Sequence, residues 1–383
     1  MYDFTTFPDR KNTESVKWGL YEPDVLPMWV ADMDFVSPQP VIDALLERVR
    51  HGVFGYPMIK KDMKQVIVER MAQRYGWSID PSAVVFVPGV VPGFNLVCQA
   101  LTGPGDSIVM LTPVYPPFFS APANAGAEKI EVPMLQSAQG RYEIDFEAFE
   151  SAIQPNTKVF MLCNPHNPVG RVFDREELEQ LGEICLRHGV TICSDEIHSD
   201  LVFSGHTHTP IASISEEFDQ NSVTLIAPSK TFNIAGLECS MIICKNPELR
   251  KKLETARKGL LGGVNVLGLT AGLAAYQHGE EWLKELLAVL ETNRDLLTNF
   301  LQARIPEIKV TPAEATYLAW LDCRALNLPG GAFSFFLKEG KVALNEGKDF
   351  GAQGEGFLRF NFGCPTAMVQ EAMERMEKAV GGK

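Results

Sequence analysis

The sequence predicts an α/β protein, with a mostly parallel sheet covered by helices on both faces and a smaller α+β domain. Three observations carry this expectation. Short runs of Val, Ile, Leu and Phe are continuous, as in strands buried on both faces. These runs alternate along the chain with amphipathic stretches of helical period. Beyond Pro306 the pattern changes to shorter, mixed elements, and 383 residues exceed one ordinary core.

Taken in order, AVVFVP predicts a strand and GFNLVCQAL the helix after it. DSIVMLTP is a second strand, followed by a Pro-rich loop, and KVFMLCNP is a third. Asp174 with Glu177 three residues on forms a capping box, and Gly189 stops the helix it opens. VTICSD and VTLIAPS are further strands. From about Trp282 a long helical stretch leads away from the sheet, towards ATYLAWLDC, a helix ending near Gly340, VALNEG, GFLRFNFG and a last helix. The expected division is an N-terminal segment at 1–45 packed with the small domain, a large domain at 46–285 and a small C-terminal domain at 286–383.

Charge and composition narrow the function. A net charge of −13 argues against nucleic acid or an anionic membrane as the main partner. No apolar run approaches the ~20 residues needed to span a bilayer. The start, MYDFTTFPDR, lacks a basic-then-apolar signal pattern, so a cytoplasmic location is expected. The eight cysteines include no Cys-x-x-Cys pair and lie in strand-like text, which reads as small buried hydrophobes.

Ligands of open α/β sheets bind beyond the carboxyl ends of the strands, so the residues following each strand test function. After VVFVP comes GVVPG, a turn that opens a helix and offers the N–H groups of Gly89, Val90 and Val91 to an anion. Tyr115 follows the second strand, Asn164 and Asn167 the third, Asp195 and His198 the fourth. Ser229 and Lys230 follow the fifth. An amine for a Schiff base, a carboxylate for a ring nitrogen and an anion site together match pyridoxal phosphate, and no metal is needed.

NPHNPVGR, SDEIHSD, PSKTFNIAGL and LRFNFGCP, in that order, resemble the aspartate-aminotransferase fold family of pyridoxal-phosphate enzymes. LPMWVADMDF and VFGYP narrow the resemblance to its cystathionine β-lyase-like branch of C–S β-lyases, from about Phe4 to the last helix. It implies Lys230 as Schiff-base lysine and Cα base, Asp195 at the pyridine nitrogen and Asn167 at the phenolic oxygen. It also implies His198 beside that oxygen, Tyr115 stacked on the ring, and Gly89, Val90, Val91 and Ser229 at the phosphate. Arg359 matches the residue gripping the substrate α-carboxylate, where a planar guanidinium suits bidentate binding. Trp29 and Asp34 are expected to border the substrate side chain.

Two positions depart from the family pattern. Glu238 stands where many aminotransferases have a phosphate arginine, and Ala227 replaces a common Ser or Thr. Tyr56 resembles the tyrosine that reaches a neighbouring subunit's phosphate, which implies a homodimer with shared active sites. The substrate implied is an amino-acid thioether or thiol, cleaved to thiol, pyruvate and ammonia. The rivals are an aminotransferase using the same residues, a metal hydrolase built on His198, His206 and His208, and a non-catalytic binding protein.

Overall fold

Seven strands form the central sheet of the computed structural model, which describes residues 2–382. They are β1 Val84–Val87, β2 Ser107–Thr112, β3 Glu128–Pro133, β4 Thr157–Cys163, β5 Thr191–Asp195, β6 Ser222–Ile226 and β7 Ser240–Ile243. Their spatial order is β1-β7-β6-β5-β4-β2-β3, with β7 antiparallel to both neighbours and the other pairings parallel. Four of the five anticipated strands, β2, β4, β5 and β6, lie side by side in the parallel part, and β1 closes one edge. Edge strand β3 is charged and largely exposed, which blunts further pairing.

Both faces of the sheet are covered. On one, helix Val90–Leu101 lies close because a Cβ on Gly93 would come within 2.5 Å of Leu225 Cδ2. Phe94, Phe118, Val223 and Leu225 belong to that core. On the other face helix Arg175–His188 buries Leu178, Leu181 and Ile184 against Phe160 and Ile192. Each such side chain contributes about 1.5–3 kcal/mol when fully buried. The capping box is present: Asp174 accepts from Glu177 N at 2.8 Å, and Glu177 Oε2 from Asp174 N at 2.9 Å. Gly189 ends the helix in the left-handed region, at φ 66°.

A second, antiparallel sheet orders β8 Lys309–Val310, β9 Leu318–Asp322, β10 Asn345–Glu346 and β11 Phe357–Asn361 as β8-β9-β11-β10. Helices Glu280–Arg304 and Thr366–Gly381 share a core with this sheet. The N-terminal segment joins it: Leu26–Pro27 pairs with Val342–Ala343, and Asn361 N donates to Met28 O at 2.9 Å. The divisions expected at 45/46 and 285/286 fall inside the continuous helices Gln39–His51 and Glu280–Arg304. All eight cysteines are free and buried, as their strand-like surroundings predict. No described helix is long and apolar enough to cross a membrane.

Candidate active site

The carboxyl ends of β1, β2, β4, β5 and β6 open on one cavity of about 260 Å³. It gathers Tyr115, Asn167, Asp195, His198, Ser229 and Lys230 with the Gly89–Val91 turn. Gly89 has φ 115°, a conformation side chains rarely adopt, and a Cβ there would stand 3.2 Å from Pro92 Cδ. Helix Val90–Leu101 begins behind it without a side-chain cap, so its N-terminal dipole faces the cavity. Lys230 sits in the one-turn helix Pro228–Thr231 that follows β6.

Electrostatics at the cavity are set by burial. The Lys230 amine donates to the Ala31 carbonyl at 2.7 Å. Burial, then the Arg359 charge, lowers this amine to about 8, with Asp32 and Asp195 opposing. Burial also raises the Asp195 carboxyl to about 7, against the Ile197 N–H bond and Lys230. His198 falls to about 3 through burial and the nearby Lys230 and Arg359, so it is neutral at physiological pH. Its Nδ1 is buried without a hydrogen-bond partner among the described residues.

Arg359, on β11, is buried and held by oxygens from three segments. Nη1 donates to Asn167 Oδ1 at 3.1 Å, and Nη2 to Trp29 O at 3.1 Å and to Asn345 Oδ1 at 2.6 Å. Its guanidinium also lies 4.9 Å from the centre of the Phe350 ring. Nε is buried and unpartnered among the described residues. Burial lowers Arg359 to about 10, so it remains cationic at neutral pH. No carboxylate neutralises it through an ion pair among the described residues.

Three expected residues lie elsewhere. Asp34 is fully buried beside the N-terminal segment, where it bonds Lys17 Nζ at 2.6 Å, Arg10 Nη1 at 2.6 Å and Trp18 Nε1 at 2.9 Å. Its oxygens are thereby committed to structure, which corrects the expectation that it borders substrate. The Trp29 indole donates to Lys17 O and packs edge-on against Tyr21; its carbonyl is what reaches the site, through Arg359. Tyr56 is fully exposed, within the exposed segment 52–60. Asn164 fills a turn role, accepting from Phe173 N at 3.1 Å.

Sequence reasoning missed Ala31, Asn233, Tyr317 and Asn345. Asn233 lay in plain view three residues after Lys230, whereas a backbone carbonyl such as Ala31 leaves no side-chain signal. Glu238 and Cys239 line the same cavity. Of the histidines weighed as metal ligands, His208 Nε2 is 2.9 Å from Glu196 Oε2 and His206 is exposed, while His198 faces the cavity. No group of three or more His, Cys, Asp or Glu among the described residues is arranged to hold a metal ion.

Known proteins resemble this chain over nearly its whole length. Cystathionine beta-lyase PatB of Bacillus subtilis (strain 168) is 44% identical over 386 residues, covering 99% of this chain and 100% of that protein. Cystathionine beta-lyase of Corynebacterium glutamicum is 34% identical, covering 97% and 98%. The crystal structure of cystalysin from Treponema denticola, which contains a pyridoxal 5′-phosphate cofactor, matches with TM-score 0.96 at 36% identity, over 100% of this chain and 99% of that one. The PLP-bound C–S lyase from Staphylococcus hominis matches with TM-score 0.93 at 32% identity, over 99% of each. The profile described as aminotransferase class I and II spans residues 23–376, which takes in every cavity residue from Ala31 to Ser240 and Arg359 beyond them, and the chain belongs to that family.

Proposed function

We propose that this chain is a pyridoxal-phosphate-dependent C–S β-lyase. It would cleave cystathionine, cysteine or S-substituted cysteines, with water, to a thiol or sulfide, pyruvate and ammonia. The observation that carries the reading is the meeting of the Lys230 amine, the Asp195 carboxylate and a glycine-turn anion cradle in one cavity. Full-length identity of 44% to a protein named cystathionine beta-lyase selects the lyase branch.

The residues present fit the cofactor. The unpartnered His198 Nδ1 and the cradle at Gly89 are features that a bound ring and phosphate would satisfy. When bound, pyridoxal phosphate supplies an aldehyde for amines and a ring that draws electrons from the substrate Cα. Lys230 would hold it covalently and later take the Cα proton; lowered to about 8, its amine is partly neutral near that pH. Asp195 would face the ring nitrogen, where an ion pair at ~3 Å and an effective dielectric of 20 has a Coulomb energy of roughly 5 kcal/mol. Asn167 spends its Oδ1 on Arg359 and keeps its amide N–H groups for the phenolic oxygen.

Tyr115 would stack on the ring, while Gly89, Val90, Val91 and Ser229 would hold the phosphate. Arg359, oriented by three acceptors, would grip the α-carboxylate with donors left over, Nε among them. Departure of sulfur from Cβ requires the Cα electrons, so removing that proton next to a good leaving group favours elimination.

The reading includes a homodimer with shared sites, in which Tyr56 serves the neighbour's phosphate. Exposed Val53, Phe54, Tyr56 and Met58 form an apolar segment suited to burial against a second copy. A cytoplasmic location accords with eight unpaired cysteines.

The test is to incubate the purified protein with L-cystathionine, cysteine and S-alkyl cysteines and quantify pyruvate, ammonia and thiol. Release of all three should far exceed amino transfer to 2-oxoglutarate. Efficient transamination of alanine or aspartate, with the thioether intact, would instead establish an aminotransferase.

A further inference from the structure

The segment carrying Ala31 is fastened from two directions. Asn233, three residues after the lysine, accepts from Met33 N at 3.0 Å and donates to Met33 O and Phe35 O, both at 2.8 Å. Its own carbonyl accepts from Ser37 Oγ at 3.1 Å. From the small sheet, Asn361 Nδ2 donates to Val30 O and to Asp32 O, the latter at 2.7 Å. Between these fastenings the Ala31 carbonyl takes Lys230 Nζ at 2.7 Å and Tyr317 Oη at 2.8 Å.

Resting on the lyase reading above, we propose that Asn233 is a positioning residue that sets where the Lys230 amine is held when it is free. The loop that carries the lysine thus also fixes the lysine's hydrogen-bond acceptor. A neutral amine has two N–H groups and one lone pair, and its chemistry needs the lone pair. A carbonyl accepts and cannot donate, so it holds an N–H and leaves the lone pair open. Tyr317 occupies a second direction on the same oxygen, which restricts where the amine can sit. The result is an amine turned towards the cavity that Ala31 itself helps to line.

Asn233 has φ 55°, in the left-handed region. Asparagine tolerates that conformation and glycine adopts it freely. Asn233→Gly therefore removes the amide while keeping the backbone, which separates the two roles. In the holoenzyme, this variant should keep its melting temperature within about 3 °C and its cofactor absorbance. Amide exchange at residues 29–36 should rise about tenfold, with β4 unchanged.

The kinetic readout is a split between the two constants. Turnover of an S-alkyl cysteine should fall about 10–100-fold in kcat, with KM within about threefold. Exchange of the Cα proton of L-alanine in deuterated water, which needs the amine and no leaving group, should fall in parallel. Asn233→Asp keeps the acceptor for Met33 N and loses both donations; it should show the same kcat loss, and it decides the matter if the glycine variant does not fold.

Parental kcat and Cα exchange in a folded variant would overturn the inference, as would a loss confined to KM. A parent protein that yields no pyruvate would remove the lyase reading instead. Parental activity retained in Asn233→Gly would remove only the role of Asn233.

Discussion

Asn345 and Arg359 are register partners on β10 and β11, and the Asn345 side-chain oxygen accepts from Arg359 Nη2 at 2.6 Å. The pairing carries the guanidinium from the small sheet to the rim of the large one, where Asn167 receives its other nitrogen. A substrate carboxylate would therefore meet a cation already aimed and lacking any anionic partner among the described residues.

Arg359→Ala should raise KM for amino-acid substrates by roughly 30-fold or more, because losing a buried charge partner costs about 2–5 kcal/mol. Cofactor absorbance should persist. Asn345→Ala, which only loosens the guanidinium, should raise KM by about 3–10-fold. If decarboxylated amines react with the parent as well as amino acids do, no carboxylate clamp exists.

Lys230→Ala should abolish turnover while leaving the fold intact, since it removes both the covalent anchor and the Cα base. Borohydride treatment of the parent with pyridoxal phosphate should fix the cofactor to the peptide containing Lys230, and leave the variant unlabelled. Elimination by the variant near the parental rate would contradict the assignment.

Asp195 yields a paired prediction with opposite signs. Burial raises its carboxyl from 3.8 to about 7, so the folded cofactor-free chain holds this proton more tightly than the unfolded chain. Its stabilising effect is complete below about pH 4 and is lost as pH rises towards 7. Asp195→Asn should raise the melting temperature of the cofactor-free protein at pH 8 by about 2–5 °C, and leave it unchanged at pH 4. The same variant should lower kcat by ~10³-fold, if about 4 kcal/mol of transition-state stabilisation is lost. Near-parental activity would reduce Asp195 to a turn residue.

Tyr56 addresses assembly. Tyr56→Ala and Lys230→Ala proteins, each nearly inactive, should recover activity when mixed under conditions that exchange subunits. In a hybrid dimer one site collects both lesions and the other collects neither. Confirmed hybrids without activity would place Tyr56 outside the neighbour's site.

How far the sequence was legible depended on the kind of signal. Strands β2, β4, β5 and β6 were readable because continuous apolar text records burial on both faces. β3 was not, since Glu128, Lys129 and Glu131 on an exposed edge erase that text. The strand β7, Ser240–Ile243, was not anticipated, and its antiparallel direction follows from connections and not from composition. At the cavity, side chains placed after strand ends were foreseen from topology. Asp34 was misread because its partners, Lys17 and Arg10, come from 17 and 24 residues away along the chain. Ala31 was missed because its contribution is an oxygen that every residue possesses.

The eight buried cysteines bear on how the reaction can be followed. Burial raises the thiols of Cys98, Cys239 and Cys244 to about 12, and those of Cys163, Cys185, Cys193, Cys323 and Cys364 higher still. A disulfide reagent reacts with thiolate, so at pH 8 the native protein should be almost silent towards it. A small thiol leaving the active site has neither the burial nor the raised pKa. Product can therefore be titrated in the cuvette as it forms, with the catalyst contributing almost no colour of its own until it unfolds.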